Sequence, residues 1–388
     1  MENNLKIMFL DTRPVRRGAQ VFVHELKKQF ETAGSIVQRI FLYKEVHFEC
    51  LPLNNNDLVL DFKDNHWMEK YLFFQPALLM ELSEQISQFN PDVILCNGSR
   101  TLKYAALVKR FNPDLKAKWV YRVIDSAQYW NRNPMVVWMY KKFIISAMDA
   151  AVGVSNKSLQ EMKVHYQFNK PSVAIPRAID IPHFTNFVSD PNLRKSWGIP
   201  EGSFVVLFLG NFTRQKRPDR FVEVIQSVKE KYPQVHGLMV GDGPLKNDTI
   251  SIIQQAGLEY AFTFTGYQQD VRPFISMCDI LMLTSDTDGM PGVVLEAAAM
   301  KRITISGEVG GVQEFIESGM NGVVISTLEV SSFSAALENL IGNDELLLKM
   351  ALAAMEKAAS TFAIKDICTN YLSFFNLVIK IELTKVEI

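Results

Sequence analysis

The sequence contains few cysteines, and they form none of the patterns that cysteine shows in structural or metal-binding sites. Cys50, Cys96, Cys278 and Cys368 are scattered over 388 residues, and no C-x-x-C pair occurs. This spacing excludes a disulfide-rich secreted domain and a zinc site built from paired cysteines. We therefore expect a reduced, cytoplasmic chain.

Long apolar runs and a strong net charge are also missing. The longest apolar candidate, around residues 136–154, is interrupted by Lys141, Lys142 and Asp149, whereas a membrane-spanning helix needs about 18 uninterrupted apolar residues. The first ten residues lack the apolar core of a signal peptide. A formal net charge of -1 gives no bulk attraction to nucleic acid. We expect a protein that binds no nucleic acid. Peripheral contact with the inner face of a membrane stays compatible with this sequence.

The G-x-G-x-x-G fingerprint of dinucleotide-binding enzymes is absent after the first strand of either half, which argues against a dehydrogenase. What is present is a repeated alternation of short apolar runs and helical patterns, first before and again after about residue 185. This alternation predicts an α/β protein with two Rossmann-like domains, built on parallel sheets that face a cleft. We predict domains at 1–185 and 186–363, followed by a helical segment at 364–388.

One stretch of the second half combines a strand, a polar turn and a helix. The apolar run from Ile280 to Leu283 is typical of a buried parallel strand, and an apolar helix carrying Glu296 begins near Gly292. The N–H groups at the start of such a helix favour an anion, most plausibly a phosphate. An isolated glutamate usually lies on the exposed edge of a helix. Its combination with Asp288 in the preceding turn instead indicates a site that holds hydroxyl groups on either side of a diphosphate.

Three glycine-containing turns follow other predicted strands. Gly210 opens a turn containing Arg214 and Lys216, and Gly241 opens a second turn in the same half. In the first half, a basic loop that ends at Gly18 follows the first strand. Cations in a loop are usually only solvated. A glycine-led turn with cations before a helix nevertheless suits a diphosphate, because the backbone can approach closely and the positive charge is fixed.

These motifs resemble those of retaining glycosyltransferase family 4, which has the GT-B fold. The run Asp288-Gly289-Met290-Pro291, followed by Glu296-Ala297, is similar to the E-G-x-P-x4-E-A motif of the family, with aspartate in place of the first glutamate. Lys216 matches the lysine of the family pattern G-R-x4-K-G.

The sequence departs from the family at three further places. Asn211 and Arg217 replace the arginine and the second glycine of the G-R-x4-K-G pattern, and Ile124 stands before Asp125 where the family often has histidine. Arg214 lies close enough in sequence to supply the charge that Asn211 lacks.

The resemblance implies a sugar transferase that takes a nucleotide diphospho-sugar as donor and a glycan or lipid-linked hydroxyl as acceptor, in cell-surface polysaccharide or glycolipid assembly. Its catalytic candidates are Asp288 for the transferred sugar, Glu296 for the ribose and Lys216 for the diphosphate. The other residues implied in binding the sugar donor are Gly18, Gly210, Arg214, Gly241, Gly289, Met290, Pro291 and Gly292. Candidates on the acceptor side, in the first domain, are Arg13, Arg17 and Asp125. The last helix is implied to return to the first domain.

The turn also contains a D-x-D sequence, Asp286-Thr287-Asp288. In the other large glycosyltransferase fold, GT-A, this pattern holds a divalent cation on the diphosphate. Because the residues that follow belong to the metal-free GT-B arrangement, we predict neither an essential metal nor a cofactor. Two other functions stay open at this point. A sugar-nucleotide epimerase of GT-B fold would form product without an acceptor, and a non-catalytic GT-B partner would bind nucleotide and transfer nothing.

Overall fold

The computed structural model describes residues 5–16, 18–45, 50–64, 74–126 and 133–386. It divides the chain into two compact units, one formed by Met1–Arg177 with Ile364–Ile388 and the other by Ala178–Ala363. The division lies eight residues before the boundary predicted at 185, and the final helix belongs to the first unit. Each unit contains its own parallel sheet with helices, which confirms the Rossmann-like α/β class.

The first unit contains a seven-stranded sheet with the strand order β3-β2-β1-β4-β5-β6-β7. Its strands are β1 (Lys6–Asp11), β2 (Ile36–Phe41), β3 (Asp57–Val59), β4 (Val93–Asn97), β5 (Lys118–Val123), β6 (Ala150–Gly153) and β7 (Ser172–Ala174). Its α-helices span Gly18–Thr32, Pro76–Phe89, Ser99–Phe111, Pro134–Met139, Asn156–Tyr166 and Ile364–Val386. A π-helical turn at Tyr140–Ile144 and a 3-10 turn at Ile145–Ala147 continue the helix after β5. β4 and β5 are buried along their whole length because helices cover both faces of the sheet.

A chain of buried polar side chains ties the final helix to this sheet. Arg122 Nε donates to the Tyr371 hydroxyl at 3.1 Å, and Arg122 Nη1 donates to Asn97 Oδ1 at 2.9 Å. Asn97 Nδ2 in turn donates to Asp11 Oδ2 at 3.1 Å. Burial raises the pKa of Asp11 to about 6, although hydrogen bonds from Asn97 and Gln20 oppose the rise. The network links β1, β4 and β5 to a helix more than 200 residues later in sequence.

The second unit contains a six-stranded sheet with the order β10-β9-β8-β11-β12-β13. Its strands are β8 (Phe204–Leu209), β9 (Val235–Val240), β10 (Phe262–Gly266), β11 (Ile280–Leu283), β12 (Ile303–Gly307) and β13 (Val323–Ile325). Its α-helices span Ile181–Thr185, Leu193–Ser196, Pro218–Lys229, Lys246–Gln255, Arg272–Met277, Gly292–Ala299, Val312–Phe315, Val330–Glu338 and Asp344–Thr361, and a 3-10 turn spans Glu259–Ala261. Among the helices of the described ranges, none is long and apolar enough to cross a membrane.

The strand order places three polar turns at one edge of the second sheet. β8 lies between β9 and β11, and all three strands are parallel, with Ile280 opposite Val206. The carboxyl ends of β8, β9 and β11 therefore meet at the same edge. Ligands of doubly wound sheets bind at this edge.

The core of the second unit contains a histidine that should make its stability sensitive to acid. His236 is buried in β9, with Nε2 2.9 Å from Thr263 Oγ1, and burial lowers its pKa from 6.5 to about 4. The unfolded chain binds the proton of His236 more tightly than the folded chain does. The contribution of neutral His236 to the free energy of unfolding is therefore present above pH 6.5 and is lost as the pH falls toward 4. The loss reaches about 2 kcal/mol at pH 5.

Replacing this histidine tests the expected pH dependence directly. In urea unfolding monitored at pH 7 and pH 5, His236→Gln should lose less stability on acidification than the wild type, by about 2 kcal/mol. His24, whose pKa burial also lowers to about 4, stays unchanged in both proteins. An equal loss in both proteins would show that His236 does not titrate as its burial implies.

Candidate functional site

The turns after β8 and β11 are joined into one structure by hydrogen bonds. The Asp286 N–H donates to the Gln215 carbonyl at 2.9 Å, and Gln215 Nε2 donates to the Thr287 carbonyl at 3.0 Å. The buried Thr284 hydroxyl lies 3.0 Å from the Arg217 carbonyl. Neither turn is therefore positioned on its own. A change in one turn is transmitted to the other through these bonds.

Two arginines hold the first carboxylate of the D-x-D sequence. Arg220, buried in the helix Pro218–Lys229, donates to the Thr284 carbonyl at 2.5 Å and to Asp286 Oδ1 at 2.8 Å. Arg217 Nη1 approaches the same oxygen at 3.3 Å and pairs through its other nitrogens with Asp219. Two guanidinium groups thus neutralise Asp286, so its carboxylate secures the turn. Within the part of the chain that the structure describes, no group of three or more His, Cys, Asp and Glu side chains could hold a metal ion.

The second carboxylate of the D-x-D sequence pairs with the lysine of the turn after β8. Lys216 Nζ forms an ion pair with Asp288 Oδ2, and the other oxygen, Oδ1, accepts a hydrogen bond from the Gly289 N–H at 3.0 Å. The two side chains are 23% and 15% exposed, so the pair is reachable from solvent but partly shielded from it. The structure therefore brings together two of the three predicted catalytic residues. An anion that binds Lys216 must compete with Asp288 for it.

The third predicted residue, Glu296, lies on the helix Gly292–Ala299. This helix begins directly after Pro291, whose side chain gives no cap to the first N–H groups. Met290, Pro291 and Gly292 are buried, while Glu296 is half-buried between the buried residues Leu295 and Ala297. Gly292 and Glu296 are four residues apart and therefore share one face of the helix. The helix start and the carboxylate are presented on the same side.

Gly310, in the loop after β12, packs against the backbone of the turn that contains Asp288. Gly310 has φ +50°, and a Cβ atom there would lie 1.8 Å from the Asp288 carbonyl oxygen and 2.4 Å from that of Gly289. The neighbouring Gly311 N–H donates to the same Gly289 carbonyl at 2.5 Å. The backbone of the turn that contains Asp288 therefore contacts Gly310 directly, and no larger residue fits there without moving Asp288.

The Gly310→Ala substitution is expected to destabilise the second unit by about 2–4 kcal/mol, since it adds a strained backbone conformation to a steric overlap. Gly319→Ala is a matched control, because Gly319 has φ +84° but no atom within 4 Å of an added Cβ. The control should cost only about 1–2 kcal/mol. Urea unfolding measures both changes. Equal losses would mean that the contact with the Asp288 turn carries no energy.

The turns after β8 and β9 also touch through their backbones. Gly241 has φ +135°, and a Cβ atom at this position would lie 2.0 Å from the Gly210 carbonyl oxygen. The Gly241 N–H donates to the Gly266 carbonyl at 2.9 Å, and the Gly210 N–H donates to the Val240 carbonyl at 3.0 Å. The two glycines predicted to line a sugar-donor site therefore lie in contact at the edge that carries Lys216. Arg214 lies in the same turn as Gly210 but is exposed, and it forms no ion pair with another described residue.

The described candidates of the first unit lie at the start of a helix, after a strand and in an ion-paired loop. Gly18 is the exposed first residue of the helix Gly18–Thr32, and Asp125 follows β5 with its Oδ1 accepting the Ser126 N–H at 2.8 Å. Arg13 forms ion pairs with Glu45 at 3.2 Å and with Asp64 at 2.5 Å, so two acids already satisfy its charge. Arg17 lies outside the described residues.

Two side chains that join the turns, Gln215 and Arg220, were not predicted from the sequence. Arg220 is the third residue of an amphipathic helix, where an arginine normally indicates an exposed face. Its near-complete burial (6% exposed) is the unusual property, and burial of a single polar residue leaves no periodic signal. An arginine within one helical turn of a glycine-led loop was the only clue available.

Two family models match the chain. The model described as "Glycosyltransferase Family 4" matches residues 16–182, and the model described as "Glycosyl transferases group 1" matches residues 189–357. Together they cover most of the sequence. Both matches agree with the family that the motifs around Asp288 and Lys216 suggested.

Individual relatives are distant. The chain is 25% identical over 357 residues to an Escherichia coli UDP-Gal:alpha-D-GlcNAc-diphosphoundecaprenol alpha-1,3-galactosyltransferase, with 84% of this chain and 90% of that protein aligned. It is 25% identical to the lipopolysaccharide core biosynthesis glycosyltransferase LpsE of Rhizobium meliloti, with 45% and 50% aligned. The chain thus spans about half the length of relatives such as LpsE.

Solved structures share the fold at low sequence identity. The crystal structure of Anabaena HepE in complex with UDP matches with a TM-score of 0.78 at 17% identity, over 96% of this chain and 100% of that one. Such identity shows the fold alone, which is the GT-B fold of two Rossmann-like domains. With the two family models matching residues 16–182 and 189–357, the chain belongs to the group 1, family 4 glycosyltransferases.

Proposed function

We propose that this protein is a retaining glycosyltransferase that moves a hexosyl group from a nucleotide diphospho-sugar to a hydroxyl acceptor. The observation that carries the proposal is the Lys216–Asp288 ion pair at the carboxyl edge of the second sheet, beside the start of the helix that bears Glu296. The fixed cation and the helix N–H groups match the diphosphate of such a donor. The Asp288 carboxylate matches the hydroxyls of the transferred sugar, and Glu296 matches the ribose.

In this mechanism Lys216 exchanges its partner when the sugar donor binds. Its ammonium group would leave Asp288 for the diphosphate, and the Asp288 carboxylate would then accept hydrogen bonds from hydroxyls of the transferred sugar. The bond between the anomeric carbon and the diphosphate oxygen breaks, and its electron pair stays on the leaving diphosphate. The oxygen of the acceptor hydroxyl bonds to the same face of the anomeric carbon, and its proton passes to the leaving diphosphate. Lys216 and the N–H groups at Gly292 would stabilise that growing charge. Glu296 would bind the ribose hydroxyls.

The arrangement of cations supports a mechanism without an essential metal. Asp286 forms ion pairs with Arg217 and Arg220, and Lys216 pairs with Asp288 before the sugar donor binds. A divalent cation on the D-x-D sequence would have to displace these positive groups or lie against them. Lysine and the helix start can neutralise a diphosphate in its place. We therefore propose that transfer proceeds in the presence of a chelator and requires no cofactor.

The acceptor class is proposed from the relatives. The Escherichia coli relative acts, by its name, on a sugar linked to diphosphoundecaprenol, and LpsE is named for lipopolysaccharide core biosynthesis. We propose a glycan or lipid-linked acceptor used in cell-surface polysaccharide or glycolipid assembly. The protein would act in the cytoplasm, at the inner membrane face, where lipid-linked acceptors are presented.

Proton NMR of the reaction tests the proposed chemistry. The protein is incubated in chelator with UDP- or GDP-sugars labelled at the anomeric carbon, with and without a lipid-linked sugar acceptor. The expected product keeps the anomeric configuration of the sugar donor and forms only with acceptor. An inverted product would contradict retention. A donor sugar that is epimerised without acceptor would indicate an epimerase, and transfer restored only by Mg²⁺ or Mn²⁺ would contradict metal independence.

A further inference from the structure

The first unit presents apolar side chains to solvent along the short helix that follows β5. Met135 is 78% exposed, Trp138 54% and Phe143 43%. Met135 and Trp138 are three residues apart on one helical face, and Phe143 follows in the π-helical turn. Clustered exposure of large apolar side chains usually marks an interaction site. We call Met135, Trp138, Lys141, Lys142 and Phe143 the aromatic–basic surface.

The aromatic rings and one lysine form a small ordered cluster on this surface. The Trp138 and Phe143 rings pack edge to face with centroids 5.7 Å apart. Lys142 Nζ lies 5.1 Å from the Trp138 centroid and 5.5 Å from that of Phe143. The lysine ammonium therefore lies over the exposed rings, within cation–π distance of both. A cation beside exposed aromatic rings suits the boundary between an apolar and an aqueous phase.

Hydrogen bonds and buried neighbours fix the backbone that carries this cluster. Arg110, from the helix Ser99–Phe111, donates to the Phe143 carbonyl at 3.1 and 3.2 Å through two of its nitrogens. Ile144 and Ile145 are buried in the core of the first unit. Because the following residues anchor the turn and Arg110 ties down its carbonyls, Trp138 and Phe143 cannot fold into the core.

The charge of this region is one-sided. Residues 133–148 contain two lysines and no acidic residue, and the helix Ser99–Phe111 contains four cations and no acidic residue. Arg100 and Lys109 pair with Asp64 and Asp149. Across the described ranges, Arg110, Lys141 and Lys142 have no acidic partner, since Lys141 contacts the neutral Gln167 and Arg110 contacts main-chain carbonyls. These three unpaired cations flank the exposed rings.

We propose that the aromatic–basic surface docks the protein on an anionic lipid bilayer. Tryptophan and phenylalanine side chains insert at the boundary between headgroups and acyl chains, and neighbouring lysines bind anionic headgroups. Each lysine near such a surface contributes about 1 kcal/mol, or roughly fivefold in affinity. Exposed rings combined with unpaired cations suit an anionic bilayer better than an uncharged protein partner, because an uncharged partner would not require the cations. The proposal is independent of the transfer chemistry.

Vesicle sedimentation tests the surface. The full protein is mixed with vesicles of phosphatidylcholine alone or of phosphatidylcholine with phosphatidylglycerol. It should sediment with the anionic vesicles only, and less so at high salt. Combined Lys141→Glu and Lys142→Glu substitutions should weaken binding at least about tenfold. Trp138→Ala should weaken binding to the anionic vesicles at low and at high salt, because it removes an inserted side chain.

Matched variants in the second unit provide the controls. Lys195→Glu with Lys349→Glu changes the net charge equally on exposed lysines elsewhere, and Tyr260→Ala removes an exposed ring that also lies 5.1 Å from a lysine ammonium, Lys229 Nζ. These controls should bind vesicles as the wild type does. Failure of the wild type to bind anionic vesicles would overturn the proposal and leave the surface to a protein partner. Equal losses in the test and control variants would overturn it too, because they would indicate non-specific charge attraction.

Nucleotide titration of the same variants separates this proposal from the proposed function. Substitutions on the aromatic–basic surface should leave nucleotide affinity unchanged, since they lie in the first unit, and Lys216 and Asp288 lie in the second. Retained nucleotide binding shows that the second unit of each variant is folded, and an unchanged circular dichroism spectrum shows the same for the first unit. A variant that loses vesicle binding and keeps nucleotide binding supports the docking surface specifically.

Discussion

The Asp288→Asn variant is expected to transfer sugar on the order of a thousandfold more slowly than the wild type, while it binds nucleoside diphosphate at least as tightly. The carboxylate is proposed to hold sugar hydroxyls as charge develops at the anomeric carbon, so its loss acts on the transition state. The same substitution frees Lys216 from its ion pair. A diphosphate then no longer competes with Asp288 for the ammonium group. Transfer rates and calorimetric titration measure the two effects separately.

The matched control for this prediction is Asp242→Asn. Asp242 is an exposed carboxylate in the turn after β9, where it pairs with Lys246 at 3.1 Å in the same kind of acid–lysine contact. Its substitution should leave both transfer and nucleotide binding close to wild-type values. If Asp288→Asn transferred sugar at the wild-type rate, Asp288 would have no role in catalysis. Nucleotide binding that weakened with the slower rate would mean that the substitution disrupts the turn instead.

The Lys216→Ala variant is expected to lose nucleoside diphosphate affinity by about 10–100-fold, the value of a hydrogen bond to a charged group. Transfer should fall further, by about 100–1000-fold, since the lysine stabilises more charge on the leaving diphosphate than on the bound donor. The variant also leaves Asp288 without its cation in a partly buried turn. The loss of affinity should shrink at high salt, where screening weakens the wild-type contact.

Lys246→Ala provides the control for Lys216, because Lys246 also makes an acid–lysine ion pair, with Asp242, and is not among the residues proposed to bind the sugar donor. It should bind nucleotide normally. Lys216→Ala and Asp288→Asn should have opposite effects on nucleotide affinity although they break the same ion pair. Equal weakening by both would show that the pair is a structural link between the turns and does not exchange its partner. The proposed mechanism would then be wrong in its first step.

Much of the fold could be predicted because the buried strands have a strong sequence signal. The run Ile280–Leu283 is uniformly apolar and forms a buried strand as predicted, since parallel strands covered on both faces need no alternation. The strand Ile36–Phe41 was not identified, because Gln38 and Arg39 interrupt its apolar pattern. Arg39 is nevertheless buried, paired with Asp57 at 3.1 Å. A charged residue that is paired with a residue distant in sequence cannot be assigned to a core strand from its own sequence neighbours.

In the site, too, the features encoded by one continuous stretch of sequence could be predicted, whereas the contacts between distant residues could not. The turn with Asp288 and the helix with Glu296 follow from one continuous stretch, and Lys216 follows from a family pattern. The contact of Lys216 with Asp288, 72 residues later, depends on β8 and β11 being neighbours. Their adjacency is set by the strand order, which no local spacing encodes. Likewise, the role of Gly310 beneath Asp288 becomes visible only when the backbone contact is known.

The measurement that tests the central claim most directly is calorimetric titration with UDP, GDP and ADP in chelator, on the wild type and on Glu296→Ala. We predict that one nucleotide binds the wild type selectively, and that the variant binds it about 10–100-fold more weakly, because hydrogen bonds between the ribose and a charged group are lost. Glu308→Ala, which removes an exposed carboxylate in the same unit, should not change the affinity. Absence of binding to any nucleotide, or equal affinity for wild type and Glu296→Ala, would contradict a metal-independent sugar-donor site on the second unit.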